Sequence, residues 1–255
     1  EAQAVLGDSL FWRGSVDEGL NFILDSLRRA KELGKPYLIC RMYHWVLDPY
    51  IELCRFHEYR LMAEEFFHVS SQAHYGFFRG YAQINLYGMD ILNGYWKSAG
   101  LRMRDLLEQK KRGIFDNRIS IFMDWKMGDA FVTFGNYEKA LALLAPLEPL
   151  IREMDMKSYI AGHQSSLAAV HEGLGRIEER DQCCQEYLAF IHREKRLDGI
   201  ISANLLDFIY FSPPQPEIAR ECLSIMESVA PPWANVMSEL ALAEARGVLL
   251  LRDGK

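Results

Sequence analysis

The chain has 255 residues, 49% hydrophobic and 25% charged, a length and balance that allow a sizeable buried core. Its formal net charge of −6 supplies no positive field to attract nucleic acid or an anionic membrane. No apolar run nears the ~18 residues of a membrane span, no signal peptide opens the chain, and the five cysteines (Cys40, Cys54, Cys183, Cys184 and Cys222) form no CxxC pair, so neither a zinc ribbon nor a redox motif is spelled out.

The elements are expected as follows. Ala2–Arg13 is a first helix, closed by Gly14-Ser15. Val16, Gly19, Leu20 and Ile23 fall at 0, +3, +4 and +7, one face of a second helix that stops at Gly34-Lys35-Pro36. A third spans Tyr37 to Arg55, bent at Pro49, after which the face returns as Tyr59, Met62, Ala63 and Phe66. Ser70-Ser71 offers an N-cap for an aromatic helix through Asn93. Gly94-Tyr95 turns the chain into Trp96, Ala99, Gly100 and Met103, and Gly113 with Asp116-Asn117 ends that pair.

The clearest unit is Met127–Glu148, the end of one helix, a turn at Gly135-Asn136, and a helix on Tyr137, Ala140, Leu141 and Leu144. A helix over Lys157–Glu172 leads through Gly173-Leu174-Gly175 to Ile177, Arg180, Asp181 and Cys184. Another, from Leu197 to Phe211, leads through Pro213-Pro214-Gln215-Pro216 to Ala219 and Leu223, with Pro216 at the helix start. Pro231-Pro232-Trp233 opens a final helix ending at Asp253-Gly254.

Aligned on the first apolar residue of each second helix, the copies sit at Val16, Tyr59, Trp96, Tyr137, Ile177 and Pro216, in steps of 43, 37, 41, 40 and 39. A helical hairpin cannot bury both apolar faces alone, so such copies stack. The reading is all-α: a solenoid of about six antiparallel hairpins in one domain over 1–255. Starting on Glu1 without an initiator Met, it reads as a piece of a longer protein.

Gly94-Tyr95-Trp96-Lys97-Ser98-Ala99 and Gly135-Asn136-Tyr137-Glu138-Lys139-Ala140 carry G-x-[YW]-x-x-A, which resembles the hairpin turn of tetratricopeptide repeats. Elsewhere the pattern loosens: Arg180 replaces the small Ala, and Pro214 takes the Gly slot. The period near forty exceeds the standard 34. It resembles the sensor superhelix of MalT-like, LuxR-type bacterial transcription activators, and helical arrays attached to signalling ATPases and cyclases. The resemblance implies a right-handed superhelix in which each hairpin's first helix lines the concave face, twelve and fifteen residues before the aligned position. Those slots hold His44, Tyr81, Trp125, Ser165 and Asn204, and neighbouring slots add Asn85 and Asp129.

No catalytic set is spelled out. His171-Glu172 begins a zinc-protease HExxH, but Gly175 stands where the second histidine belongs. Gly173-x-Gly175 has no strand before it, so it is a turn rather than a nucleotide loop. His68 and His74 would need a third ligand such as Glu64 or Glu65 to hold a metal. Aromatics crowd several sides of one segment, Tyr75, Phe77, Phe78 and Tyr81, which is more than core packing uses, so some should face a groove or a partner.

These features describe a non-catalytic binding or sensor module of a multidomain cytoplasmic regulator. It would take a small polar effector, a peptide or a partner domain of its own parent chain, without cofactor, metal, membrane or direct nucleic-acid contact. The alternatives are an accessory domain of a signalling enzyme and a purely structural interaction scaffold.

Overall fold

A computed structural model describes residues 1–154, 157–194, 199–211, 216–228 and 236–252. Every regular element among them is a helix: α1 Ala2–Trp12, α2 Val16–Glu32, α3 Pro36–Glu52, α4 Phe56–Gln72, α5 Gly76–Leu92, α6 Trp96–Lys111, α7 Asn117–Thr133, α8 Tyr137–Leu144, α9 Leu147–Glu153, α10 Lys157–Gly173, α11 Ile177–Glu194, α12 Gly199–Phe211, α13 Pro216–Ser228 and α14 Val236–Arg252. The turn at Pro213-Pro214 and the Pro231-Pro232-Trp233 start lie outside the described residues.

The second helices begin at Val16, Phe56, Trp96, Tyr137, Ile177 and Pro216, in steps of 40, 40, 41, 40 and 39. The expected start at Tyr59 is therefore three residues late. Tyr59 is the first buried residue of α4, whereas Phe56 at its N-terminus is exposed, so the apolar pattern begins after the helix does. Ser70-Ser71 is not a cap either. Ser70 lies in the last turns of α4 and donates its hydroxyl to the Phe67 carbonyl at 3.1 Å.

The rhythm is written in the turns. Left-handed backbone recurs at Gly14, Gly34, Cys54, His74, Gly94, Gly113, Gly135 and Gly175. At most of these the next residue's N–H reaches five residues back: Ser15 to the Leu10 carbonyl (3.0 Å), Arg55 to Tyr50 (2.8 Å), Tyr75 to Ser70 (3.0 Å), Tyr95 to Asp90 (2.8 Å) and Arg176 to His171 (2.9 Å). This satisfies helix-end carbonyls and reverses the chain in a few residues. The turn after α6 is longer, and Asp116 caps α7 by accepting the Ile119 N–H at 2.9 Å.

The chain divides into two compact units, Glu1–Met123 and Asp124–Lys255. In the first, consecutive helices α1 to α6 pack pairwise, and α1, α3 and α5 also touch next-but-one, which makes them one layer and α2, α4 and α6 the other. The α1–α2 crossing is close because both helices present glycine. A Cβ on Gly19 would sit 2.4 Å from the Phe11 nitrogen. Ile23, Tyr43, Leu47, Phe66 and Leu106 are fully buried between the layers.

In the second unit α10 packs on α8, α9, α11 and α12, and α12 packs on α13 and α14. The helix expected through Glu148 breaks at Ala145-Pro146 into α8 and α9. Tyr137, the aromatic of the G-x-Y motif, lies over Gly173, where a Cβ would fall 2.3 Å from the ring. Arg180, in the slot where the motif has Ala, is 1% exposed. It pairs with Glu172 at 2.7 Å and Asp181 at 2.6 Å and donates to the Phe211 carbonyl at the end of α12. The departure from the repeat pattern is thus a fully partnered buried cation that ties three helices together.

Candidate functional site

In the first unit a cleft of about 570 Å³ opens between the N-terminal turns of α3 and α5. Tyr37, Arg41, His44 and Trp45 form one wall; His74 to Phe78, across the α4–α5 turn, form the other. The α3 residues present one face because 37, 41, 44 and 45 follow helical spacing. His74 sits in the left-handed turn that launches α5, and that turn sends Tyr75, Phe77 and Phe78 towards α3. The rings brace each other: Tyr37 meets Tyr75 edge-on at 5.9 Å and Phe78 at 5.7 Å, and Phe77 meets Phe78 edge-on at 5.3 Å.

His44 closes the inner end, edge-on to Tyr81 at 4.5 Å. Its Nδ1 is buried without a hydrogen-bond partner among the described residues. Burial, and secondarily the charge of Arg41, push the imidazole down to about 4. It is therefore neutral at pH 7. Arg41 is left as the one permanently charged residue of the lining, with Nε 3.2 Å from the Glu1 carboxylate and Nη1 3.5 Å from the Tyr37 hydroxyl.

Of the other residues singled out in the sequence, Tyr81 is mostly buried and stacks on Phe122 at 5.4 Å. Asn85 is engaged on both sides: it accepts from the Tyr59 hydroxyl at 2.6 Å and donates to the Tyr81 carbonyl at 2.8 Å. In the second unit Trp125 donates Nε1–H to the Ser166 hydroxyl at 2.8 Å. That hydroxyl is 2.6 Å from Asp129, whose other oxygen pairs with Lys126 at 3.2 Å. The Lys126 ammonium lies over the Trp125 ring at 4.7 Å, which closes the loop. Ser165 is buried, and it is its neighbour Ser166 that bonds Trp125. Asn204 donates to the Tyr187 hydroxyl at 3.0 Å.

The structure thus places His44 in the cleft with Tyr81 packed against it outside the lining, and Trp125 and Asp129 in one polar loop. The sequence does not single out Tyr37, Arg41 or Trp45 as site residues, and of these Arg41 carries the charge. It stands fifteen residues before Phe56, in an inward slot; counted from Tyr59, that slot went to His44. The correct register would have found it. Ser166 shows no sequence signal that separates it from Ser165.

The described residues hold no group of three or more His, Cys, Asp or Glu able to bind a metal, and no helix among them is long and apolar enough to cross a membrane. All five cysteines are free thiols, and burial raises the ones it surrounds, Cys40 to about 11 and Cys183 and Cys184 to about 12. The cleft offers aromatic faces, one cation and a neutral imidazole. It can hold an apolar group and an anion side by side.

No protein-family profile and no curated protein matches the sequence. Among solved structures, the apo form of RapI superposes with a TM-score of 0.60 at 13% identity, covering 97% of this chain and 84% of that one. At that identity the likeness concerns the fold, and the fold is a tetratricopeptide-like array of helical hairpins.

Proposed function

We propose that residues 1–255 are a non-catalytic binding module whose α3–α5 cleft receives a peptide segment, either free or exposed on a partner protein. The carrying observation is the composition of the cleft: about 570 Å³, within the range of ligand sites, with Tyr37, Trp45, Tyr75 and Phe77 presenting rings and a single charge at Arg41. Rigid aromatic side chains give large contact area at low entropic cost. The one histidine deep in the site is held near 4, far from the pH at which a general base works best, which favours binding over turnover.

Binding regulates only if the occupant prefers one state of the parent protein over another, so a sensor in a multidomain cytoplasmic regulator would couple through that difference. The MalT-like relationship stays within this proposal; its support is the forty-residue period. Selection from a random peptide library should enrich sequences that bind the wild-type protein. The same peptides should lose at least about tenfold affinity, roughly 1.4 kcal/mol, for Phe77→Ala with its melting temperature preserved. Enriched peptides indifferent to Phe77→Ala, or no enrichment, would sink the reading.

A further inference from the structure

We infer that the Arg41 corner of the cleft recognises an acidic side chain, so that the fitting peptide carries an aromatic or large apolar residue next to Asp or Glu. This rests on the cleft being a peptide site and adds to it the chemistry of the occupant.

The structure already shows a carboxylate on Arg41, supplied by a residue outside the cleft lining. The side-chain oxygen of Glu1 lies 3.2 Å from Arg41 Nε. Both side chains are about half exposed, and an ion pair that open to solvent is weak and readily exchanged. Glu1 is therefore a tethered stand-in that a ligand carboxylate can replace. Of the Arg41 donors, only Nε and Nη1 have partners among the described residues, and Nη1 reaches the Tyr37 hydroxyl only at 3.5 Å. A guanidinium with donors to spare accepts a planar carboxylate through two parallel bonds.

The cleft lining itself holds no acidic residue, so Glu1, which is outside that lining, is the carboxylate a ligand must displace, and the neighbouring His44 is neutral at pH 7. Next to the cation, Tyr37, Phe77 and Phe78 form an apolar surface. The adjacency of the two surfaces sets the spacing in the ligand: the acidic group lies about one residue from the ring on either side. A side-chain carboxylate is preferred to a chain terminus because the group seen on Arg41 is itself a side chain.

The probes are acetyl-phenylalanyl-glutamate amide, its isosteric glutamine counterpart, and acetyl-phenylalanine with a free terminal carboxylate, each titrated by calorimetry or by tryptophan fluorescence. The glutamate probe should bind about fivefold more tightly than the glutamine probe, the scale of a half-exposed ion pair. Salt should narrow that gap, and Arg41→Gln should abolish it without weakening the glutamine probe. Glu1→Gln should tighten the glutamate probe by removing the internal competitor.

Equal binding of the two dipeptides to the wild type overturns the inference and leaves the peptide-site reading standing. Glutamate preference that survives Arg41→Gln also overturns it. So does tight binding by acetyl-phenylalanine alone, which would assign the corner to a chain terminus. Binding by none of the three overturns both readings. Circular dichroism of Arg41→Gln should match the wild type, because the side chain is an exposed surface group.

Discussion

At the scale of single residues, the site and the core are set by how much water each polar group keeps. His44 is held down to about 4 by burial, against an ordinary value of 6.5. The unfolded chain therefore binds a proton between roughly pH 6.5 and 4 that the folded chain refuses, and stability falls as pH falls through that window. His163 and His171 are lowered too, chiefly by burial, and act in the same direction. From pH 7 to 5 the His44 contribution alone is about 2 kcal/mol. His44→Gln should flatten that slope in urea titrations run across the window. An unchanged slope would mean that the imidazole stays hydrated.

Gly162 gives a second residue-level test. A Cβ there would fall 2.4 Å from the Trp125 ring, and the ring is pinned by its bond to Ser166. Gly162→Ala gains up to about 1 kcal/mol in helix propensity but overpacks the contact by about 1–3 kcal/mol. A net loss in melting temperature is expected, with a shift in tryptophan fluorescence. A stabilised variant would show that the ring is free to move aside.

At the scale of elements, the twenty-residue spacing of turns was legible in the sequence wherever glycine marks it. Gly14, Gly34, Gly94, Gly135 and Gly175 all ended helices where the glycine pattern predicts. It was not legible at Cys54 and His74, which adopt left-handed backbone without the residue that announces it. Those two silent turns hide the α3, α4 and α5 boundaries from the sequence pattern and, with them, the slot that Arg41 fills. The same logic hid the α8–α9 break, because the apolar face of Tyr137, Ala140 and Leu144 continues through Leu147 and Ile151 across it.

Cys54→Gly removes the left-handed penalty, worth about 1 kcal/mol, at the cost of a partly buried thiol. The variant should be more stable to urea, by up to that amount. A less stable variant would mean that the lost side-chain packing outweighs the backbone relief. His74→Gly offers the same relief but also changes a wall of the cleft, so Cys54 is the cleaner site.

At the scale of the whole molecule, hairpins that touch mainly their neighbours make stability local. Arg180 is where this can be read. Removing its guanidinium leaves Asp181 inside without its cation and frees the Phe211 carbonyl, a loss of about 3–5 kcal/mol by analogy with other broken buried pairs. Arg180→Ala should speed amide exchange in α11 and α12 while leaving that of α3 and α5 nearly as it was. Uniform acceleration across the chain would show a single cooperative unit instead. The fold class was readable because the period repeats many times. The cleft was not, because it depends on a register fixed by two turns without glycine.

The even spacing of left-handed turns has a consequence for how such a chain can change length. One residue added inside a helix rotates everything after it by about 100° and takes the inward face out of line. A whole forty-residue tile copied or excised preserves the phase of every remaining helix and alters only the seam. The turn between Gly113 and Asn117 shows an escape: there α6 is a residue shorter, the turn is longer, and the next second helix starts 41 residues after the last. Growth by duplication is therefore nearly neutral for this architecture, whereas single-residue insertions and deletions should survive almost exclusively in its turns.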